Sequence, residues 1–231
     1  VGVKPNGKWV MAEGADASGM NRSVPMEKIM DDCMIAWAQN GEALRPGQGY
    51  PMRLVVPGFE GNMWVKWIRR LEIGDMPWFA REETSKYTDL LSDGRSRMFT
   101  WVQDANSVIT RPSPEKPWLD RKGFHMISGL AWSGRGTIKG VDVSLDGGKS
   151  WVPADIDGPA FPKALTRFNL PFEWNGSEMF LQSRAYDDTG YVQPTFKQVR
   201  EVRGTNPIYH NNAIHTWRIN TNGTVENVQL V

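Results

Sequence analysis

Apolar residues in this chain come in short runs broken by glycine, proline and Asx-Gly pairs, the pattern of many short strands rather than of long helices. Lys8-Trp9-Val10-Met11 reads as a strand that ends at Glu13-Gly14-Ala15-Asp16, where the aspartate has the place of a turn or capping residue. Ser23-Val24-Pro25 puts serine and proline ahead of a short helix over Glu27 to Asp32. The apolar run from Cys33 to Ala38 fits a strand or a buried helix, and Asn40-Gly41 marks a tight turn. The densest stretch is Gly47 to Asp75. Arg53-Leu54-Val55-Val56 is stopped by Pro57-Gly58, a glycine-containing loop covers Phe59 to Met63, and Trp64-Val65-Lys66-Trp67-Ile68 alternates. Two strands joined by a tight loop follow from this pattern, with Arg53 and Lys66 at mirrored places beside loop amides, an arrangement suited to an anion.

Arg81 to Asp89 shows no apolar face and is expected at the surface, in part helical; Met98 to Val102 and Ser107 to Thr110 read as strands. Arg111-Pro112-Ser113-Pro114-Glu115-Lys116-Pro117 then places three prolines where neither a helix nor a central strand can continue. A domain boundary is expected there, giving residues 1–110 and 111–231. Beyond it the alternating segments Gly123 to Ala131, Thr137 to Leu145, Lys149 to Ala154, Thr166 to Leu170, Met179 to Ala185 and His215 to Ile219 are separated by Asp146-Gly147-Gly148, Asp187-Asp188-Thr189-Gly190 and similar turns. Strands at this spacing predict an antiparallel, immunoglobulin-like β-sandwich. The fold class is α+β, mainly β.

Composition narrows the function only a little. In 231 residues, 27 basic and 26 acidic side chains leave a net charge of +1, which gives no argument for a nucleic-acid or membrane-surface partner. No apolar run reaches the ~18–20 residues of a membrane span. The single cysteine, Cys33, cannot form an internal disulfide, and no Cys-x-x-Cys-His haem motif is present. Eleven tryptophans are many for this length and suit pockets or interfaces as well as cores. The chain begins at Val1, so a processed or truncated start is expected, with any export signal upstream of it.

The common catalytic constellations do not appear. His125, His210 and His215 form no His-Glu-x-x-His and lie far from the cysteine in sequence. No Gly-x-Ser-x-Gly, phosphate loop or dinucleotide fingerprint occurs. Gly134-Arg135-Gly136 reads as a turn, and Asp187-Asp188 and Glu82-Glu83 read as turn and surface carboxylates. Residue types alone leave a cationic loop, many tryptophans and a sandwich, compatible with a non-catalytic Trp-rich β-sandwich binding module.

A longer pattern goes further. Asn40-Gly41, Gly49-Tyr50-Pro51-x-Arg53, Val55-Val56-Pro57-Gly58, Gly61 and Val65-Lys66-Trp67, with Glu13-Gly14-x-Asp16 upstream, resemble the molybdenum-cofactor domain of the sulfite oxidase family. Ala185-Tyr186-Asp187-Asp188, Gln193-Pro194 and Arg203-Gly204 resemble that family's C-terminal dimerisation domain. Pro77 to Tyr87 and Asn206-Pro207-Ile208-Tyr209-His210 are most similar to its sulfane dehydrogenase branch, the SoxC type. The resemblance implies a Mo-molybdopterin cofactor held by Asp16, Gln48, Arg53, Trp64, Val65 and Lys66. It implies a sulfur-oxyanion contact at Arg203, since a guanidinium is planar and permanently charged.

Trp37 falls where animal members have an active-site tyrosine, and Gln48 where they have a histidine. An indole has one N–H and no titratable hydroxyl, and a carboxamide carries no charge. Cys33 does not align with the family's molybdenum-ligating cysteine, which is expected upstream; no metal ligand is expected in this chain. The chain is therefore expected to be the C-terminal part of a longer subunit, inactive alone. The family further implies oxidation of protein-bound sulfane sulfur in thiosulfate oxidation, or of sulfite. It implies a homodimer formed through the C-terminal domain, a c-type cytochrome and a sulfur-carrier protein as partners, and a periplasmic location.

Overall fold

The computed structural model describes residues 2–115, 121–204 and 209–230. The chain divides into two compact units, one of residues 1–90 with 94–102 and one of residues 91–93 with 103–231.

The first unit is built on a three-stranded antiparallel sheet in the order β2-β1-β7, with β1 at Trp9–Gly14, β2 at Asn21–Pro25 and β7 at Ile68–Gly74. Helix α1, Met26–Asp31, follows β2 directly, as the serine-proline signal predicts. Three short strands follow: β3 (Met34–Ala36), β4 (Ala38–Gln39) and β5 (Glu42–Ala43). The last two form the hairpin that Asn40-Gly41 announces, with φ of +53° and +83° at those residues, the left-handed pair a two-residue turn requires. Strand β6, Arg53–Val55, pairs with β3. The core here is small: Ala12, Val24, Leu54, Val56, Met63 and Val65 are buried together, with Cys33, Phe59, Trp64 and Trp101 packed against them.

Several expectations are corrected in this unit. Of the two alternatives for the apolar run at Cys33 to Ala38, the strand is the one formed, at Met34–Ala36; it is not a buried one, since Met34 and Ile35 are exposed and Trp37 is 72% exposed. Trp64 to Trp67 does not form the second strand of a hairpin. The 3-10 turn Gly61–Met63 and the positive φ of Trp67, +51°, interrupt it, and β7 starts at Ile68 to pair with β1 instead. The segment still runs beside β6, tied by Leu54 N to Val65 O at 2.8 Å and Ile68 N to Met52 O at 3.1 Å.

Arg81 to Asp89 is not a surface segment throughout. A π-helical turn, Glu82–Lys86, buries Glu82 and Glu83, and Glu83 Oε1 accepts the Ser23 N–H at 2.5 Å. Met98 to Val102 is irregular rather than a strand, because Phe99 and Trp101 have positive φ; Trp101 stacks on Phe59, ring centroids 5.7 Å apart. Two short strands, β8 (Asp89–Leu90) and β9 (Ser96–Arg97), pair with each other.

The second unit is the expected antiparallel sandwich. One sheet has the order β10-β11-β15-β14: β10 Asn106–Arg111, β11 Gly123–Trp132, β15 Thr166–Trp174 and β14 Asp155–Asp157. The other has the order β13-β12-β16-β17-β18: β12 Ile138–Ser144, β13 Val152–Pro153, β16 Met179–Asp187, β17 Thr216–Ile219 and β18 Val225–Val228. Ile127, Val141, Val143, Phe168, Leu181, Ala185 and Ile219 meet in the core between them. Each contributes roughly 1–3 kcal/mol by leaving water.

The divide between units lies after Val102, ahead of the Arg111–Pro117 stretch, because β10 pairs along β11 and is a sandwich strand. Lys116 and Pro117 of that stretch lie outside the described residues. Helix α2, Phe196–Arg203, was not predicted; it is opened by a capping box in which Thr195 and Gln198 satisfy each other's backbone amides. No helix among the described residues is long and apolar enough to cross a membrane.

Candidate functional site

In the first unit, three separated segments meet at one place. The first is the 3-10 turn Pro46–Gln48, which ends at Gly49 with φ +112°. The second is Arg53 at the start of β6, and the third is Trp64 to Trp67. Gly49 is buried where they join. A Cβ at Gly49 would come within 3.0 Å of Lys66 Cβ and 3.2 Å of Arg53 Cβ, so only glycine fits without displacement. A fourth segment closes on the same backbone: a Cβ at Gly14 would stand 2.7 Å from Lys66 O, and Ala15 N donates to Trp67 O at 2.8 Å.

The two cations expected of this stretch are there. Arg53 donates from Nη1 to Gln48 O at 3.2 Å and from Nη2 to Trp64 O at 3.0 Å, and its guanidinium lies 5.7 Å from the Trp64 ring centre. Lys66 Nζ donates to Gly47 O at 3.0 Å and lies 4.4 Å from the Trp67 ring centre. Trp67 Nε1 donates to Pro46 O at 2.9 Å, holding the turn against the wall. Neither Arg53 nor Lys66 makes an ion pair with a carboxylate among the described residues, and Arg53 Nε is buried with no hydrogen-bond partner. Burial lowers the Arg53 guanidinium from its ordinary value without neutralising it. Two part-buried cations answered only by turn carbonyls form a site of net positive charge. A bulky anion that brings phosphate oxygens suits such a site.

The other residues expected here divide. Gln48 is exposed on the turn beside Arg53. Trp64 donates its Nε1 to Phe59 O at 3.1 Å and presents its ring to Arg53. Val65 is 3% exposed, with its side chain in the small core, so its part in the wall is the backbone. Asp16 is a turn residue, as its sequence setting predicts. Its Oδ1 accepts the Met20 N–H at 3.0 Å and the Ser18 hydroxyl at 3.0 Å, and the Met20 contact leads in lowering its carboxyl below the usual value. Trp37 directly follows Ala36, the residue paired with Arg53 across β3 and β6. Cys33 packs against the small core, and no group of three or more potential metal ligands occurs among the described residues.

Arg203 sits in the second unit in a setting the sequence did not announce. It is the last residue of α2, not the end of a strand, and it is 7% exposed. Its Nη2 donates to Asp104 Oδ2 at 2.7 Å. The same carboxylate receives Arg135 Nε on Oδ1 at 2.6 Å and faces His210 Nε2 at 3.2 Å. Arg135 in turn lies 5.2 Å from the Tyr191 ring centre, and Asn212 Nδ2 reaches the Tyr191 hydroxyl at 3.1 Å. Burial alone would raise the Asp104 carboxyl. The His210 contact and then Arg135 outweigh it and hold the group well below the usual carboxylate range. Asp104, Arg135 and His210 were not singled out for this role. Asp104 stands in no motif, and only the contact pattern of the fold joins residues so far apart in sequence.

Comparison with known proteins agrees with both units. Residues 1–81 match the family described as the oxidoreductase molybdopterin binding domain, and residues 97–217 the Mo-co oxidoreductase dimerisation domain. Mitochondrial sulfite oxidase of Homo sapiens is 30% identical over 222 residues, which cover 84% of this chain and 39% of that protein. An NADPH nitrate reductase of Pichia angusta is 33% identical over 172 residues, covering 66% of this chain and 20% of that protein. Among solved structures, the sulfane dehydrogenase SoxCD from Paracoccus pantotrophus superposes with a TM-score of 0.97 at 64% identity, over 100% of this chain and 59% of that one. The chain thus spans 39% of that sulfite oxidase, 20% of that nitrate reductase and 59% of the solved chain.

Proposed function

Starting from a chain that belongs to the molybdopterin oxidoreductases of the sulfite oxidase family, we propose that it is part of a sulfane dehydrogenase of the SoxC type. In this reading the whole protein oxidises protein-bound sulfane sulfur in thiosulfate oxidation, in the periplasm, and electrons leave to a c-type cytochrome. The observation that carries the cofactor reading is the pair Arg53 and Lys66, cations with no carboxylate partner among the described residues, set around the buried Gly49. When bound, the molybdenum cofactor would supply two-electron redox chemistry at this site.

The residues of this chain hold and orient that group. Arg53 and Lys66 would hold its phosphate through charge-assisted donors. Gly49 lets Lys66 and Arg53 close on the turn, since a side chain there would displace them. Trp64 supports the Arg53 guanidinium from one side. Gln48 adds a neutral carboxamide, and the backbone of Val65 and the Asp16 turn fix the wall that Lys66 stands on. Arg203, oriented by Asp104, answers the negative charge of a sulfur oxyanion, and Trp37 contributes an apolar ring and no proton.

The substrate reading rests on 64% identity to a structure named as a sulfane dehydrogenase, against 30% to a sulfite oxidase. Assaying the full-length protein with carrier-bound sulfane sulfur and with free sulfite separates the two. Turnover of the carrier-bound donor is expected, and turnover of sulfite with none on the carrier would overturn it.

A further inference from the structure

The two oxygens of the Asp104 carboxylate are not used alike. Oδ1 receives Arg135 Nε at 2.6 Å, whereas Oδ2 lies between two donors, Arg203 Nη2 at 2.7 Å and His210 Nε2 at 3.2 Å. Asp104, Arg203 and His210 are all buried, while Arg135 reaches solvent with 44% of its side chain exposed. The contact fixes the histidine tautomer. A carboxylate held below its usual range has no hydrogen to give, so Nε2 carries the hydrogen and donates it to Oδ2. Nδ1 is then the ring position at which the charge of His210 can change.

The segment that carries His210 is tied to the same place. Asn212 Nδ2 donates to Ala105 O, next to Asp104, and to the Tyr191 hydroxyl, both at 3.1 Å. Those bonds keep the backbone of His210 beside the carboxylate. Among the described residues, the charged and titratable groups of this cluster are Asp104 ahead of β10, Arg135 between β11 and β12, Tyr191 after β16 and Arg203 at the end of α2, with the exposed Tyr209 adjacent to His210 in the chain. Tyr191 stays neutral, because burial pushes its hydroxyl up. One anion therefore meets two fixed cations, and His210 decides whether there is a third. Histidine is the side chain whose charge ordinarily changes within the physiological range.

We propose that His210 is a positioning residue for Arg203: through the shared Asp104 oxygen, its charge sets how much of the guanidinium's positive charge is left for a sulfur oxyanion. The inference rests on the reading of Arg203 as the oxyanion contact, and adds to that reading the residue that controls it. With His210 neutral, Oδ2 is answered chiefly by Arg203, and the carboxylate offsets that guanidinium. With His210 protonated, the imidazolium answers the same oxygen through a charge-assisted bond, and less of the carboxylate's charge is spent on Arg203. The added charge acts at short range among buried groups, where salt and water screen it little. An oxyanion on Arg203 is therefore held more tightly once His210 is protonated, and by linkage a bound oxyanion favours the protonated ring.

Calorimetric titration of the full-length holoprotein with inorganic sulfate, at constant ionic strength, tests this. Sulfate keeps its charge over the range used, so a change with pH belongs to the protein. The wild type is expected to bind sulfate roughly tenfold more tightly at about pH 5 than at about pH 8. His210→Gln keeps an N–H donor for Asp104 but cannot be charged. It is expected to abolish the step and to retain the affinity that the wild type has at the alkaline end. Arg203→Lys is expected to weaken binding roughly tenfold at both ends, since the planar fork is lost. Circular dichroism and thermal unfolding establish that each variant is folded, and the wild-type curve is decisive without any variant. A flat wild-type curve, or a step that survives in folded His210→Gln, would overturn the role of His210 alone. Sulfate binding that is absent from the wild type, or unchanged in Arg203→Lys, would overturn the Arg203 reading and the inference with it.

Discussion

Gly49 lies directly against Lys66: a Cβ at Gly49 would stand 3.0 Å from the lysine Cβ, with φ at +112°. The cationic wall is therefore built around a position that tolerates no side chain. Gly49→Ala is expected to cost about 1–3 kcal/mol of stability in urea unfolding. It is also expected to lower the cofactor content of the full-length protein. A variant as stable as the wild type and fully loaded would show that this approach is not needed.

Lys66 and Arg53 carry the charge. Removal of a charge-assisted donor is expected to cost about 1.5–3 kcal/mol of cofactor binding, so Lys66→Ala should weaken retention of the pterin by ~10–100-fold. The pterin released per mole of folded protein is the readout. Unchanged loading would remove Lys66 from the site.

The Asp104 carboxylate answers two arginines in the second unit. Its folded carboxyl titrates below its unfolded value of about 3.9. Its contribution to stability is therefore present above that pH and is lost as pH falls toward the folded value. Asp104→Asn leaves Arg203 buried beside a neutral amide and is expected to destabilise by ~3–5 kcal/mol near neutral pH. The wild type should lose stability between neutral pH and pH 3 more steeply than the variant. Asp187, also held low against burial by Ser133 and Thr189, keeps some acid dependence in both. Parallel pH curves for the two proteins would contradict the assignment.

Trp37 is exposed and carries no titratable proton. Trp37→Phe is expected to change stability by no more than ~0.5 kcal/mol and to leave the pH profile of turnover in the full-length protein unshifted. A displaced profile would give the residue a part in proton transfer.

Much of this was legible because it depends on local chemistry. The Asn40-Gly41 hairpin, the alternating sandwich strands and the cations Arg53 and Lys66 are set by residues adjacent in sequence or by simple period. What was missed depends on distant partners. Met98 to Val102 has the composition of a strand, yet it bends at Phe99 and Trp101 so that their rings pack together and Trp101 stacks on Phe59. Glu83 looks like a surface acid until Ser23, sixty residues earlier, supplies its buried donors. Trp64 to Lys66 reads as strand by alternation, but the turn at Gly61–Met63 and the kink at Trp67 turn it into a wall of the site instead. Arg203 was placed as a candidate by resemblance; its partner Asp104 could be found only once the sandwich was formed.

Direct analysis of molybdenum and pterin in the purified full-length protein tests the central claim. The account predicts close to one molybdenum and one pterin per chain, both diminished together by Lys66→Ala. A folded, full-length protein with neither metal nor pterin would contradict it.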